Sequence, residues 1–331
     1  MPKRNGAILE VYENEGNEDG VPFVTMEPNS GLRGVTFDYP SQDDPRTVRK
    51  FPYTIRGNRG VYLVNVGIRT AYKGVDLFTN KCDNHYVDYL AGHAFANVIR
   101  VGGGSEGGII SNIQCNTNVY GTAYETKWGC WPNSTNLPKE QQSPLAGGQN
   151  AEDLDFMIIG DSRDQVIYNN FLFGCNIGMH FVDDGNGGAA NVHSMGNAVD
   201  GAVKTVVVDG IATDLDLVNS QIVALNPDKS AEIIKGAEDA YFYKLGPNVK
   251  HTVTLFASDN WGGGKYFADV QGGQLNLYLA NLNASGATYT FSTGRQWKSA
   301  ALRRSCEQSE QAGEGQRHRR AQHSDCLYGE Q

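Results

Sequence analysis

Met157-Ile158-Ile159-Gly160-Asp161 recurs as His180-Phe181-Val182-Asp183-Asp184, so that Ile159 falls on Val182 and Asp161 falls on Asp184, 23 residues further on. A repeat of about that length is one coil of a β-solenoid, whose neighbouring coils lie about 4.8 Å apart along the hydrogen bonds. The same phase is present upstream in Ile99-Arg100-Val101-Gly102-Gly103-Gly104-Ser105-Glu106-Gly107-Gly108, which aligns with Phe181 to Gly188 apart from one residue of loop length. Where the earlier coil carries glycines, the later one carries two aspartates. The repeat predicts an all-β chain whose turns stack acids on one another.

Composition agrees with many short strands and tight turns. The 331 residues include 40 glycines, which reach left-handed turns, and 16 tyrosines, which favour strands. Strand-like runs follow one another from Phe23–Met26 through Val61–Val66, Val75–Phe78, His85–Tyr89, Val98–Val101, Phe156–Ile159, Lys204–Val208 and Thr252–Phe256 to Leu275–Leu279, and helical periodicity is nearly absent. A net charge of −9 argues against nucleic acid, whose binding rests on basic patches. The chain holds no run of about 18 apolar residues, so no membrane partner is expected. Cys82, Cys115, Cys130, Cys175, Cys306 and Cys326 lack zinc-type spacing; Cys115 and Cys175, inside apolar runs, read as buried thiols, and a disulfide through Cys82 or Cys130 stays open.

The start, Met-Pro-Lys-Arg-Asn-Gly, has no signal-peptide core and passes directly into the strand pattern of Gly6 to Tyr12. This reads as an N-terminally truncated piece of a secreted parent. The coils are expected over residues 1–294. Residues 116–155, with Tyr120, Tyr124, Trp128 and Trp131, read as an excursion that builds a binding face. The stretch 295–331, with Arg303-Arg304 and Arg317-His318-Arg319-Arg320, has no strand pattern and reads as a disordered or out-of-frame-like tail. Asn65, Asn112, Asn170, Asn191 and Asn219 recur at coil-like spacing, and asparagine both tolerates left-handed turns and bonds its neighbours in a stack.

Asp161, Asp183 and Asp184 are the leading candidates for chemistry. Cleaving a glycosidic bond takes one carboxylic acid to protonate the leaving oxygen and a carboxylate to activate water or attack carbon. Acids at one turn of adjacent coils fit that need; solvated turn aspartates, or a structural calcium, are the competing readings. His193 follows the aspartate turn, and Arg163, Lys204 and Asp209 are placed to meet sugar hydroxyls. His180 sits in an apolar run and reads first as a packed or hydrogen-bonded side chain. Tyr124, Trp128, Trp131, Tyr168 and Trp261 are candidate stacking platforms for pyranose rings, with Trp261 in Ser258-Asp259-Asn260-Trp261-Gly262-Gly263-Gly264 the best exposed of them. Gly160-Asp161-Ser162 also matches the nucleophile block of some serine esterases, but the later Asp-x-x-His they need is missing.

The string Asn29-Ser30-Gly31-Leu32-Arg33-Gly34-Val35-Thr36-Phe37-Asp38-Tyr39-Pro40-Ser41-Gln42, followed by Tyr53 to Gly57, Val64-Asn65-Val66, Val75-Asp76-Leu77 and His85 to Gly92, resembles bacterial secreted proteins of the pectate-lyase-like superfamily. The likeness spans roughly residues 6–290 and implies a single-stranded right-handed parallel β-helix. Within that superfamily the acids look like those of the family 87 glycoside hydrolases, the α-1,3-glucanases also called mutanases or mycodextranases. Those enzymes invert the anomeric centre with one aspartate on a coil and an adjacent pair on the next, an order that Asp161 and Asp183-Asp184 match. The resemblance implies a monomeric, extracellular polysaccharide hydrolase with no cofactor. Polygalacturonases share the aspartate order, but their His-Gly and Arg-x-Lys elements are absent here. A polysaccharide lyase using Lys204 or Arg163 on an acidic glycan, and a non-catalytic carbohydrate-binding β-helix or adhesin, remain as alternatives.

Overall fold

The computed structural model describes residues 7–42, 48–115, 153–225, 236–284 and 290–293. Tyr124, Trp128, Trp131, Cys130 and the tail from 295 lie outside the described residues. The fold is all-β, and within the described residues the only named element that is not a strand is one turn of 3₁₀ helix, Ala237–Asp239. Strand pairs with strand in parallel, each repeat on the next: Tyr62–Leu77 on Tyr86–Val101, Asp155–Ile159 on Phe171–Phe181, and Phe171–Phe181 on Ala198–Val208.

Alternation puts one set of side chains inside. Leu77, Val101, Ile159, Phe181, Val208 and Leu245 form one ladder row across successive repeats, and all are buried. Residues one position earlier, Asp76, Arg100, Ile158, His180, Val207 and Lys244, form the outward row. The runs Val61–Val66 and Val75–Phe78, expected as two strands, belong to the single strand Tyr62–Leu77, and His85–Tyr89 and Val98–Val101 likewise merge into Tyr86–Val101. The register of the ladder between these two strands shifts between Ile68 and Lys73, where Thr70 is left-handed.

Turns repeat as columns of left-handed residues. Gly34, Asn65, Tyr89, Asn112, Asn169, Gly196, Asn219, Ala257 and Leu279 all have positive φ and stand at one corner of successive repeats. Asn29, Gly60, Asn84, Gly107, Asp164 and Asn191 form a second such column, each backbone N–H bonded to the repeat that follows or to its side chain. The sequence reading had grouped Asn65, Asn112, Asn170, Asn191 and Asn219 as one series. Asn191 instead belongs to the second corner, and Asn169 rather than Asn170 takes the left-handed position. Asn170 turns inward, where its Nδ2 donates to Asn197 Oδ1 at 2.9 Å and its Oδ1 accepts the Ile113 N–H at 2.9 Å. The stacked amides satisfy backbone that the turn would otherwise leave buried and unpaired.

Three long strands each pair with two shorter ones, the second of which begins at Tyr53, Asp155 or Tyr241. Val35–Asp38 and Tyr53–Arg56 both pair with Tyr62–Leu77; Gln114–Cys115 and Asp155–Ile159 both pair with Phe171–Phe181; Gln221–Ala224 and Tyr241–Leu245 both pair with Ala198–Val208. Tyr53, Asp155 and Tyr241 fall in one row with Lys73, Asn97, Ile177 and Lys204. Cys82, Cys115 and Cys175 are buried free thiols, so Cys82 does not form the disulfide that its sequence left open. Loss of solvation pushes the thiols of Cys82 and Cys115 up to about 12.

Candidate functional site

The register at the acids differs from the sequence alignment by one residue. Ile159 pairs with Phe181, not Val182, and Val182 donates its N–H to Ile159 O. Asp183 is therefore the in-register partner of Asp161, and Asp184 stands one residue beyond it. Repeats come back into step at Arg163, bridged to Ala190, and at Val166, paired with His193. The segment between Val182 and Ala189 is a bulging turn with left-handed Gly185, Gly187 and Gly188.

Asp184 nevertheless reaches Asp161. Its Oδ2 accepts the Asp161 backbone N–H at 2.9 Å, while Oδ1 is buried with no hydrogen-bond partner among the described residues. Gly160 is required beneath it, because a Cβ there would meet Asp184 Oδ2 at 2.9 Å and Phe78 Cε2 at 2.5 Å. Gly104, at φ +74, keeps the neighbouring repeat thin beside the Asp161 carboxylate. Asp183 is exposed and shapes its own turn: its Oδ1 accepts the N–H groups of Gly185 and Gly187, both at 2.9 Å. That is the Asx-turn role that had been weighed as the competing reading of these acids.

A groove of about 560 Å³ adjoins this corner, lined by residues that include Glu18, Tyr53, Lys73, Asn97, Arg100 and Asp155. Arg100 spans the two, its guanidinium 4.4 Å from the Tyr53 ring centroid and 5.2 Å from that of Phe78. Beneath Arg100 lies Asp76, fully buried, whose Oδ1 accepts from Arg100 Nε and whose Oδ2 accepts from Arg56 Nε, each at 2.9 Å. Burial works to raise the Asp76 carboxyl, but the hydrogen bonds and charge of Arg100, with Thr79, outweigh it and hold the group down at about 2.

The sequence reading missed a cluster on this same face. His180 Nδ1 lies 3.2 Å from Asp155 Oδ2 and Nε2 lies 3.0 Å from Asp209 Oδ2, so one imidazole ties three successive repeats. Desolvation opposes its charge; the hydrogen bonds to Asp155 and Asp209 and their Coulombic pull prevail and hold it at about 9. In turn the hydrogen bond from His180, and the charges of His180, Lys244 and Lys204, keep the Asp209 carboxyl below its ordinary range. The available signal was His180 itself, a polar residue at an outward position of a strand. Its partners, 25 and 29 residues away, come together only through the register.

Other predicted residues disperse. Lys204 belongs to this face, half-buried in the row between Ile177 and Tyr241. Arg163 is exposed just past Asp161 and pairs with Glu106. His193 does not join the acids: it stands beyond the bulging turn on the next strand, exposed between Val166 and Asp216. Trp261 is exposed, as expected, but on Asp259–Gly262, between Val223 and Asn283 and away from the acid corner. Tyr124 and Trp128 lie outside the described residues. Among the described residues no group of three or more His, Cys, Asp or Glu side chains is arranged to hold a metal ion. No protein-family model, no curated protein and no solved structure matches this chain.

Proposed function

We propose that the chain coils as a right-handed parallel β-helix and hydrolyses the O-glycosidic bonds of a polysaccharide outside the cell, with Asp161 and Asp184 as the acid–base pair. The observation that carries this reading is the hydrogen bond from the Asp161 N–H to Asp184 Oδ2, which brings two carboxyl-bearing residues of neighbouring repeats to one corner. One protonates the leaving oxygen and the other activates water, the division of labour that inverting hydrolysis needs. Asp183 completes the resemblance to the α-1,3-glucanases in sequence order, but here it works as the turn former that presents Asp184. An α-1,3-glucan is the substrate that resemblance favours, and the groove that Lys73 and Arg100 line offers polar contacts for flanking sugars.

One observation favours a second reading, a lyase or polygalacturonase-like enzyme acting on acidic glycans: Arg100 and Lys73 line the groove, which reaches Ile158, three residues before Asp161. Purified protein incubated with α-1,3-glucan, polygalacturonate and alginate separates the two. New reducing ends from α-1,3-glucan, with the inverted anomer formed first and turnover lowered about 10²–10⁴-fold in Asp161→Asn and Asp184→Asn, support hydrolysis. An unsaturated, ultraviolet-absorbing product supports the lyase. Wild-type turnover in both variants sinks the acid pair.

A further inference from the structure

A second groove, of about 710 Å³, runs along the opposite end of the strand Phe171–Phe181 from the acid corner. One wall is Tyr168 and Met195, and the outward row they begin continues beyond the groove through Val218, Phe256 and Tyr278, one residue from each of five successive repeats. Tyr168, Met195, Phe256 and Tyr278 are 43%, 48%, 45% and 42% exposed, a large apolar surface for a sheet face to leave uncovered. The other wall is the row Phe171, Ala198, Gln221 and Asp259. Between the walls, the left-handed Asn169, Gly196 and Asn219 turn the chain sharply enough to make a concave angle.

The polar groups here are unspent. The Tyr168 hydroxyl and the side-chain amides of Asn219 and Gln221 have no hydrogen-bond partner among the described residues. The only ionisable carboxylate in the lining, Asp259, already accepts the Asn281 amide at 3.0 Å. An anionic ligand would find no counter-ion here, and the one carboxylate is engaged by an amide at the edge of the lining. A flat molecule with apolar faces and a rim of hydroxyls would find rings on one side and amides on the other. Because both walls repeat once per stacked strand, about 4.8 Å, the site suits a linear polymer lying along the repeats rather than a compact ligand.

We infer that this groove is a non-catalytic binding site for an uncharged polysaccharide strand, which stacks on Tyr168 and Met195 and is hydrogen-bonded by Asn219 and Gln221. The site lies away from Asp161 and Asp184, so it holds polymer whether or not those acids cleave it. His193, two residues before Met195 on the same exposed face, flanks it and would act there rather than at the acid corner.

Affinity electrophoresis in gels containing α-1,3-glucan, laminarin, xylan or polygalacturonate tests the inference. The wild type should be retarded by at least one of the three neutral polymers and not by polygalacturonate. Tyr168→Ser, and Gln221→Ala as a variant with no apolar change, should each weaken retardation about three- to ten-fold, the scale of one ring contact or hydrogen bond. Asp161→Asn should migrate as wild type. Free migration in every neutral gel, retardation by polygalacturonate alone, or unchanged retardation in both groove variants would overturn the site. So would a concentration-dependent dimer in sedimentation that Tyr168→Ser abolishes, since the stripe would then be covered by a second copy. Loss of cleavage in Asp161→Asn with retained retardation bears on the catalytic reading alone.

Discussion

The Asp184 carboxylate caps the backbone of Asp161, with Oδ2 taking the N–H at 2.9 Å across neighbouring repeats. The cap holds only because Asp183 folds the intervening turn under itself and Gly160 leaves room below. Three residues at the corner thus have separable roles, and substitutions should separate them.

Asp183→Ala removes the acceptor for two backbone N–H groups and should cost about 1 kcal/mol, the net worth of such bonds at an exposed turn. Asp183→Asn keeps a side-chain oxygen in place and should restore most of that stability. Urea denaturation of both variants checks this; equal losses would show that charge rather than turn geometry matters.

His180 makes stability depend on pH. Its folded value, about 9, lies above the ordinary 6.5, so the stabilisation is fully present below about 6.5 and is lost as pH rises through 9. A shift of that size corresponds to at most about 3 kcal/mol. Wild-type protein should lose stability between pH 6.5 and 9.5, and His180→Gln should lose much less over that interval. An imidazole resonance titrating near 6.5 would contradict the assignment.

Asp76 should be the costliest acid to remove. Asp76 is at zero exposure and faces Arg56 and Arg100, which are 29% and 27% exposed, and breaking a buried pair costs up to about 3–5 kcal/mol. Asp76→Asn is expected to lower the thermal midpoint sharply, and Arg100→Met to do so less because Arg56 remains. Its folded value of about 2 lies below the ordinary carboxylate range, so its contribution is present above about pH 4 and fades only as pH falls toward 2.

Leu279 occupies a left-handed corner with φ 53 and a largely exposed side chain. Left-handed backbone costs an L-residue other than Gly, Asn or Asp about 1–2 kcal/mol. Leu279→Asn should raise the urea midpoint without changing the slope, as should Ala257→Asn in the same column. A fall in both midpoints would mean that these side chains pack in ways that outweigh the strain.

The sequence by itself determined the all-β character and the corner where the acids gather, because alternation and turn residues are local properties. Asparagine and glycine marked the left-handed positions because few other residues reach them without strain. Only the tertiary structure decided the rest. Ladder register depends on how many residues each turn consumes, and a period of two cannot count them: Phe181, not Val182, stands opposite Ile159, and the bulge after Val182 takes up the residues that bring Ala190 opposite Arg163. The same register drew Asp155 and Asp209 onto His180, aligned Tyr53, Asp155 and Tyr241 in one row, and carried His193 away from the acids it follows in sequence. Side chains separated by a whole repeat meet or miss according to hydrogen bonds between strands, and those bonds exist only once the repeats have stacked.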